Sequence, residues 1–356
     1  MIPLFMPYMP ELPELDDILH SGALAYGEWT KKFENALREY FGVPHILVTN
    51  TFGNAITITL KSLGIYEGNV IASPMGCLDS TQPYVTNGME VRWADIDAHT
   101  GSLDPDSVEK RVDSSTKAII HNHYCGYPGY IDEINNIGQK HGIPVIDDGI
   151  ECLGSEYKGK LIGNCGTDVT IFCLTAVRFL NCVDGAAIIF KSKEAYKKAL
   201  LLRDNGINRT NFRDDRGEIN PKCDVSVPGY DGKMSNVNGY IGYQQMKHLQ
   251  ELLSMHRSNA KRWSQRFADD YSVQELEHDN TNPNNWVYGI LAEDKIRTID
   301  KFREEGFYAS GVHIRNDIYS VFGKSDIELP GVEYFNDHFV GLPCGWWING
   351  TEIYPK

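Results

Sequence analysis

Short apolar runs alternate with segments of helical apolar spacing through the first half of the chain. The runs at His45–Thr49, Val70–Pro74, Val91–Asp95, Lys117–His121, Val145–Asp148, Val169–Cys173 and Ala187–Phe190 read as strands, with helices over Asn54–Leu63 and Ile131–His141. Strands this uniformly apolar are buried on both faces, which predicts an α/β fold with a large, mostly parallel sheet covered by helices on both sides. Asn208 to Asp231 is rich in charge, Gly and Pro and reads as a boundary or a lid. Beyond it the spacing predicts one long helix over Val237–Arg266, leading into a smaller C-terminal α+β domain. The division expected is therefore 1–230 and 231–356. There is no internal repeat, and no helix pattern follows Trp346 and Trp347.

Composition narrows the class. The chain has 356 residues, 42% hydrophobic and 23% charged, with a net charge of −14. Those fractions are those of a soluble globular protein. The acidic balance argues against nucleic acid and anionic membrane as partners, and no apolar run is long enough to span a bilayer. Met1–Pro7 lacks a basic leader region, so a cytoplasmic location is expected. The eight cysteines form no C-x-x-C pair, so no zinc site is expected and reduced, buried thiols are.

Candidate chemistry collects at strand ends, where open α/β sheets bind ligands. Asp147, Asp148 and Glu151 follow one strand, and Ile171 to Ala186 carries Cys173, Arg178, Asp184 and Gly185 after another. The second stretch resembles the segment F-S-F-Q-A-[IV]-K-x-L-T-T-x-D-G-G of the DegT/DnrJ-type sugar aminotransferases, which are fold-type I pyridoxal phosphate (PLP) enzymes. The likeness runs from about Gly22 to Trp347. It includes Thr116–Ile120, His123–Pro128, Gly154–Asn164, Leu202–Arg209 and Leu342–Trp347.

The resemblance implies a fold-type I architecture and a set of cofactor positions, most of them substituted here. Arg178 stands at the lysine that holds PLP covalently and shuttles protons. A guanidinium stays protonated and delocalised, so it does neither. Asp148 matches the acid that bonds the pyridinium nitrogen, and Gly53 and Asn54 loosely match the turn that holds the phosphate. Glu151 replaces a Gln or His, Cys173 a phosphate-binding Ser, Gly76 a Thr, and Asp231 an Asn that reaches the neighbouring subunit. His313, Arg315, Asn316 and Asp317 match a segment that shapes the sugar-nucleotide pocket; the bland alternative is a salt-bridged turn.

These substitutions fall in one pocket, which suggests either a decayed site or one refitted for another ligand. A buried Arg178 requires a partner, with Glu151, Asp148 and Asp231 the candidates. The expectation is a protein of nucleotide-sugar or surface-polysaccharide biosynthesis in which standard PLP transamination is lost. An alternative is an enzyme using noncovalent PLP or PMP, or no cofactor. Another is ordinary transamination with a relocated lysine, Lys158, Lys160 or Lys233 being nearest in motif terms. The family implies a homodimer, with a heteromer with an active paralogue as the variant; Lys233 would contribute across that interface.

Overall fold

The computed structural model describes residues 1–276, 279–325 and 327–354. The chain begins with α1 (Leu15–His20), α2 (Glu28–Phe41), β1 (Ile46–Thr49), α3 (Phe52–Ser62), β2 (Asn69–Ala72), α4 (Gln82–Thr86) and β3 (Glu90–Trp93). It continues through α5 (Pro105–Arg111), β4 (Thr116–Asn122), α6 (Ile131–His141) and β5 (Val145–Asp148). The hairpin β6 (Glu156–Tyr157) and β7 (Lys160–Leu161) leads to β8 (Val169–Cys173), β9 (Ala186–Phe190) and α7 (Lys193–Arg203). The remainder is α8 (Asn236–Met246), α9 (Leu249–Phe267), β10 (Val273–Glu275), β11 (Thr281–Asn282), β12 (Tyr288–Ala292), α10 (Lys295–Glu304), α11 (Pro330–His338) and β13 (Phe339–Leu342).

Seven strands form the large sheet in the order β1-β9-β8-β5-β4-β2-β3. Strands β3, β2, β4, β5 and β8 are mutually parallel, while β9 runs antiparallel to both β8 and β1. It follows that β1 points the same way as β8, so Thr49, Ala72, Asn122, Asp148 and Cys173 all end at one edge. Side chains alternate between two cores, as the pleat requires. Val70, Ala118 and Ile120 pack on one face, and Ile71, Ile119 and Val145 pack with Ile134 and Ile137 on the other. Thr51 caps α3 by accepting from the Asn54 amide at 3.1 Å, and α2 and α6 stop at left-handed Gly42 and Gly142.

The single long helix expected over Val237–Arg266 is instead two, α8 and α9. The amides of Lys247 and His248 bond to Gln244 and Gln245, three residues back, so the i−4 ladder stops there. No proline or glycine marks the break. The segment Asn208–Asp231 holds no helix or extended ladder, only the isolated bridge between Arg213 and Ile219 and one from Asp231 to Asp204. Strands β10, β12 and β13 form a second sheet against α9 and α10, around Trp263, Ile290, Phe302 and Val340.

A further buried charge network joins α2, β1 and α7. Arg203 Nη1 donates to Glu34 Oε1 at 2.5 Å and to the Val48 carbonyl at 2.8 Å, and Tyr26 Oη donates to Glu34 Oε2 at 3.0 Å. Both charged side chains are buried. Replacing Glu34 by Ala strands Arg203 without a counter-charge, which is expected to cost about 3–5 kcal/mol. Urea unfolding measures it, and a loss below about 1 kcal/mol would contradict this assignment.

Candidate active site

The carboxyl edge of the sheet brings Asn122, Asp148 and Cys173 side by side, because β4, β5 and β8 are adjacent and parallel. Asp148 is buried; its Oδ2 accepts from Asn122 Nδ2 at 2.8 Å and its Oδ1 from the Ile150 amide at 3.1 Å. Burial pushes its carboxyl above the ordinary range. Cys173 Sγ lies 3.3 Å from Thr175 Oγ1.

Arg178 lies in the connection from β8 to β9 and turns inward. Its Nη1 donates to Glu151 Oε1 at 3.0 Å, with side chains only 6% and 1% exposed. His313 Nε2 lies 2.8 Å from the same oxygen, and the Cys125 amide donates to Glu151 Oε2 at 2.8 Å. Burial pushes the Glu151 carboxyl up, but His313, Arg178 and the Cys125 amide outweigh it and hold it down at about 2. An ionised carboxylate only accepts, so His313 carries its hydrogen on Nε2. Burial would lower the Arg178 guanidinium, yet the Glu151 charge keeps it above its usual value. The guanidinium also sits 4.9 Å over the Trp286 ring, which stacks on Phe5 at 4.3 Å.

Backbone strain surrounds this centre. Cys125 and Val312 have φ of 52° and 62°; Cys125 supplies the amide on Glu151, and Val312 precedes His313. The neighbouring Gly126 is left-handed, and a Cβ there would overlap Asn284 Oδ1. Val183, in the turn before Asp184-Gly185, has φ of 72°, a costly setting for a β-branched residue.

The other candidates separate. Gly53, in the first turn of α3, has free space where a side chain would be, and Thr51 takes the Asn54 amide. Asn54 Nδ2 instead donates to Asn50 at 2.8 Å. Asp231 is exposed and lies 3.0 Å from Lys233, outside the Arg178 cluster. Arg315 and Asp317 pair with each other at 2.8 and 2.6 Å. Asn316 is buried, holding Thr81 Oγ1 at 3.0 Å. Of the four residues in that segment, only His313 reaches the ion pair.

Sequence reading missed the residues that complete the site. Trp286 and Phe5 carry no local signal, and Asn122 is unremarkable outside the register that sets it beside Asp148. It also missed a buried cluster of His121, His123 and Asp147, whose ligand-type atoms lie within 4.8 Å of one another. The H-x-H spacing at a strand end was the available sign, since period two puts both rings on one face. The Gly129 amide donates to His123 Nδ1 at 3.1 Å, which places that ring's hydrogen on Nε2, 3.4 Å from Asp147 Oδ1. A metal-binding histidine has the opposite arrangement, with its remote nitrogen donating.

The structure matches that of the sugar aminotransferase CalS13 from Micromonospora echinospora with a TM-score of 0.93, at 26% identity, over 99% of this chain and 97% of that one. AtS13 from Actinomadura melliaura gives 0.92 at 27% identity, covering 99% and 96%. In fold alone it is also similar to Spr1654 from Streptococcus pneumoniae, a putative sugar aminotransferase solved in a PLP-form, with a TM-score of 0.88 at 21% identity over 99% and 95%. The fold is that of the fold-type I sugar aminotransferases. The model of the DegT/DnrJ/EryC1/StrS aminotransferase family matches residues 9–319, and the chain belongs to that family.

Two outcomes follow from the geometry. The depressed Glu151 carboxyl stabilises the fold fully above its ordinary 4.5, and that share is lost as pH falls toward about 2. Glu151→Gln is therefore expected to be less stable than wild type at neutral pH, by a margin that shrinks across this window in denaturant titrations. A margin independent of pH would refute the assignment. Val183→Gly relieves the left-handed strain and is expected to raise stability by about 1 kcal/mol, read as a shift in the urea midpoint.

Proposed function

We propose that this chain serves nucleotide-sugar metabolism without the lysine chemistry of its family: it binds a nucleotide sugar or related small molecule and does not transaminate by the standard PLP route. The carrying observation is the buried ion pair of Arg178 with Glu151, clasped by His313. By resemblance Arg178 occupies the position of the lysine that holds the cofactor. A guanidinium beside a carboxylate is neither a free nucleophile nor a proton shuttle. Two parts of a PLP site remain in kind, the buried acid Asp148 and the glycine in the first turn of α3. Among the described residues no lysine pairs with Asp148, and the family's lysine position holds Arg178 by resemblance, so the residues do not suit a covalently held cofactor.

A relocated lysine has little support. Lys158 pairs with Asp132 at 2.6 Å, and Lys233 pairs with Asp204 and Asp231. His313 favours a second reading, a diverged enzyme with noncovalent PLP, PMP or no cofactor. It is a partly exposed imidazole whose Nε2–H donates to an ionised carboxylate, the kind of side chain that serves as a general acid or base. A homodimer in the cytoplasm, or a heteromer with an active paralogue, completes the proposal. Among the described residues no helix is long and apolar enough to cross a membrane.

The test is titration of the purified protein with PLP, followed by borohydride reduction and mass spectrometry. No reducible adduct on any lysine is expected. A trapped lysine together with turnover of an amino donor would overturn the proposal.

A further inference from the structure

Arg178 has more hydrogen-bonding capacity than its surroundings use. Nη1 is spent on Glu151, while Nε is buried and has no partner. Glu151 has nothing further to give, because Oε1 already faces both Arg178 and His313 and Oε2 takes the Cys125 amide. The thiol of Cys173 lies against the guanidinium, but a neutral thiol is a poor acceptor. Trp286 offers only its ring face. The guanidinium is thus held from one side by an anion and from another by an aromatic plane. Its Nε–Nη2 edge, two parallel N–H donors, is left without an acceptor.

That edge has the geometry of a bidentate oxyanion receptor. The small cavity that Arg178 lines with Phe5, Trp286 and Trp347 has a volume of about 20 Å³, room for one water and no more. That cavity admits no larger anion, so a larger anion is assigned to the side of Cys77 and Cys173, which lie near the guanidinium. The nearest fixed negative charge, Glu151, is already matched by Arg178.

We infer that Arg178 is a binding residue for an oxyanion carried by the ligand, a carboxylate on the sugar or a phosphate, gripped by its Nε–Nη2 edge. This rests on the reading that the site holds a nucleotide sugar without a lysine adduct, and it adds the chemical class that the site selects. Glu151 and Trp286 are positioning residues, fixing the plane of the guanidinium so that the unused edge faces the ligand.

Calorimetry on the full-length protein tests it, with UDP-glucuronate and UDP-glucose as a pair differing in one carboxylate, and inorganic phosphate as competitor. The wild type is expected to prefer UDP-glucuronate at least about tenfold if the anion is a carboxylate. If it is a phosphate, inorganic phosphate is expected to displace either nucleotide sugar. The gain from one two-point charged contact is on this scale. Arg178→Lys keeps the charge but loses the fork, so it is expected to lose most of that preference, as does Arg178→Gln. If the anion is a carboxylate, the loss in both variants is expected to fall on UDP-glucuronate more than on UDP-glucose; if it is a phosphate, both nucleotide sugars are expected to weaken together, and a loss that follows neither pattern overturns the inference. The wild-type comparison needs no variant, so a misfolded mutant does not shield the inference. Equal binding of the two nucleotide sugars with no effect of phosphate overturns it while leaving the proposed function standing; so does an undiminished preference in Arg178→Gln. A trapped lysine adduct with PLP overturns the proposed function instead.

Discussion

A guanidinium taken out of water needs an anion within reach, and this need organises the centre of the protein. Glu151 answers it from the turn after β5, held in place by an amide that follows β4 and by an imidazole from beyond β12. Trp286 covers the guanidinium from the C-terminal part, and Phe5 covers Trp286 from the N-terminus. Segments far apart in sequence therefore meet at one charge pair. Such a pair adds little net stability compared with an apolar replacement, but losing either member leaves a stranded charge. Its value lies in fixing geometry, which also explains why strained backbone at Cys125 and Val312 is tolerated beside it.

Much of the fold was legible because its signals are local. The strands Val145–Asp148 and Val169–Cys173 and the helix Ile131–His141 fall where the apolar runs and the helical spacing put them. Uniformly apolar strands implied burial on both faces, and β2, β4, β5 and β8 are parallel as that implies. The division of α8 from α9 was not legible. Two short-range bonds at Lys247 and His248 break the ladder without any Gly or Pro to announce it. Nor was the path of the N-terminus, where the Trp346 and Trp347 indoles donate to the Met6 and Pro3 carbonyls at 3.1 and 2.9 Å. Those contacts span more than three hundred residues, beyond any window over which periodicity is read.

The site was legible in part, along the same divide. That a buried Arg178 demands an acid follows from electrostatics alone, and three acids were at hand in the sequence; choosing Glu151 among them required the fold. Asp148 was already engaged by Asn122, through a pairing set by β4–β5 register, and Asp231 was already beside Lys233. Arg315 and Asp317 fall in the segment expected to shape the sugar-nucleotide pocket, and in the fold they pair with each other, the salt-bridged turn that was the alternative. Residue types announce what chemistry is possible. Whether a group is free to perform it depends on neighbours that only the folded chain supplies.

If, as the family resemblance implies, a lysine is expected at 178 and a Gln or His at 151, then Arg178 and Glu151 make physical sense only together. A neutral side chain at 151 would leave a buried Arg178 without a counter-charge. A lysine at 178 facing an ionised Glu151 would be held protonated by the same attraction that raises the guanidinium, the wrong state for an amine that must attack a carbonyl. On electrostatic grounds Arg178 and Glu151 therefore belong together. A site that had merely decayed would be expected to show unpaired or solvent-filled polar groups around the lost lysine. Here Glu151 is satisfied at both oxygens and His313 is engaged, while Arg178 Nε and, beside Asp148, Asn122 Oδ1 have no partner among the described residues. Satisfaction of the Glu151 carboxylate on every side is what a refitted site requires, and the proposed function rests on it.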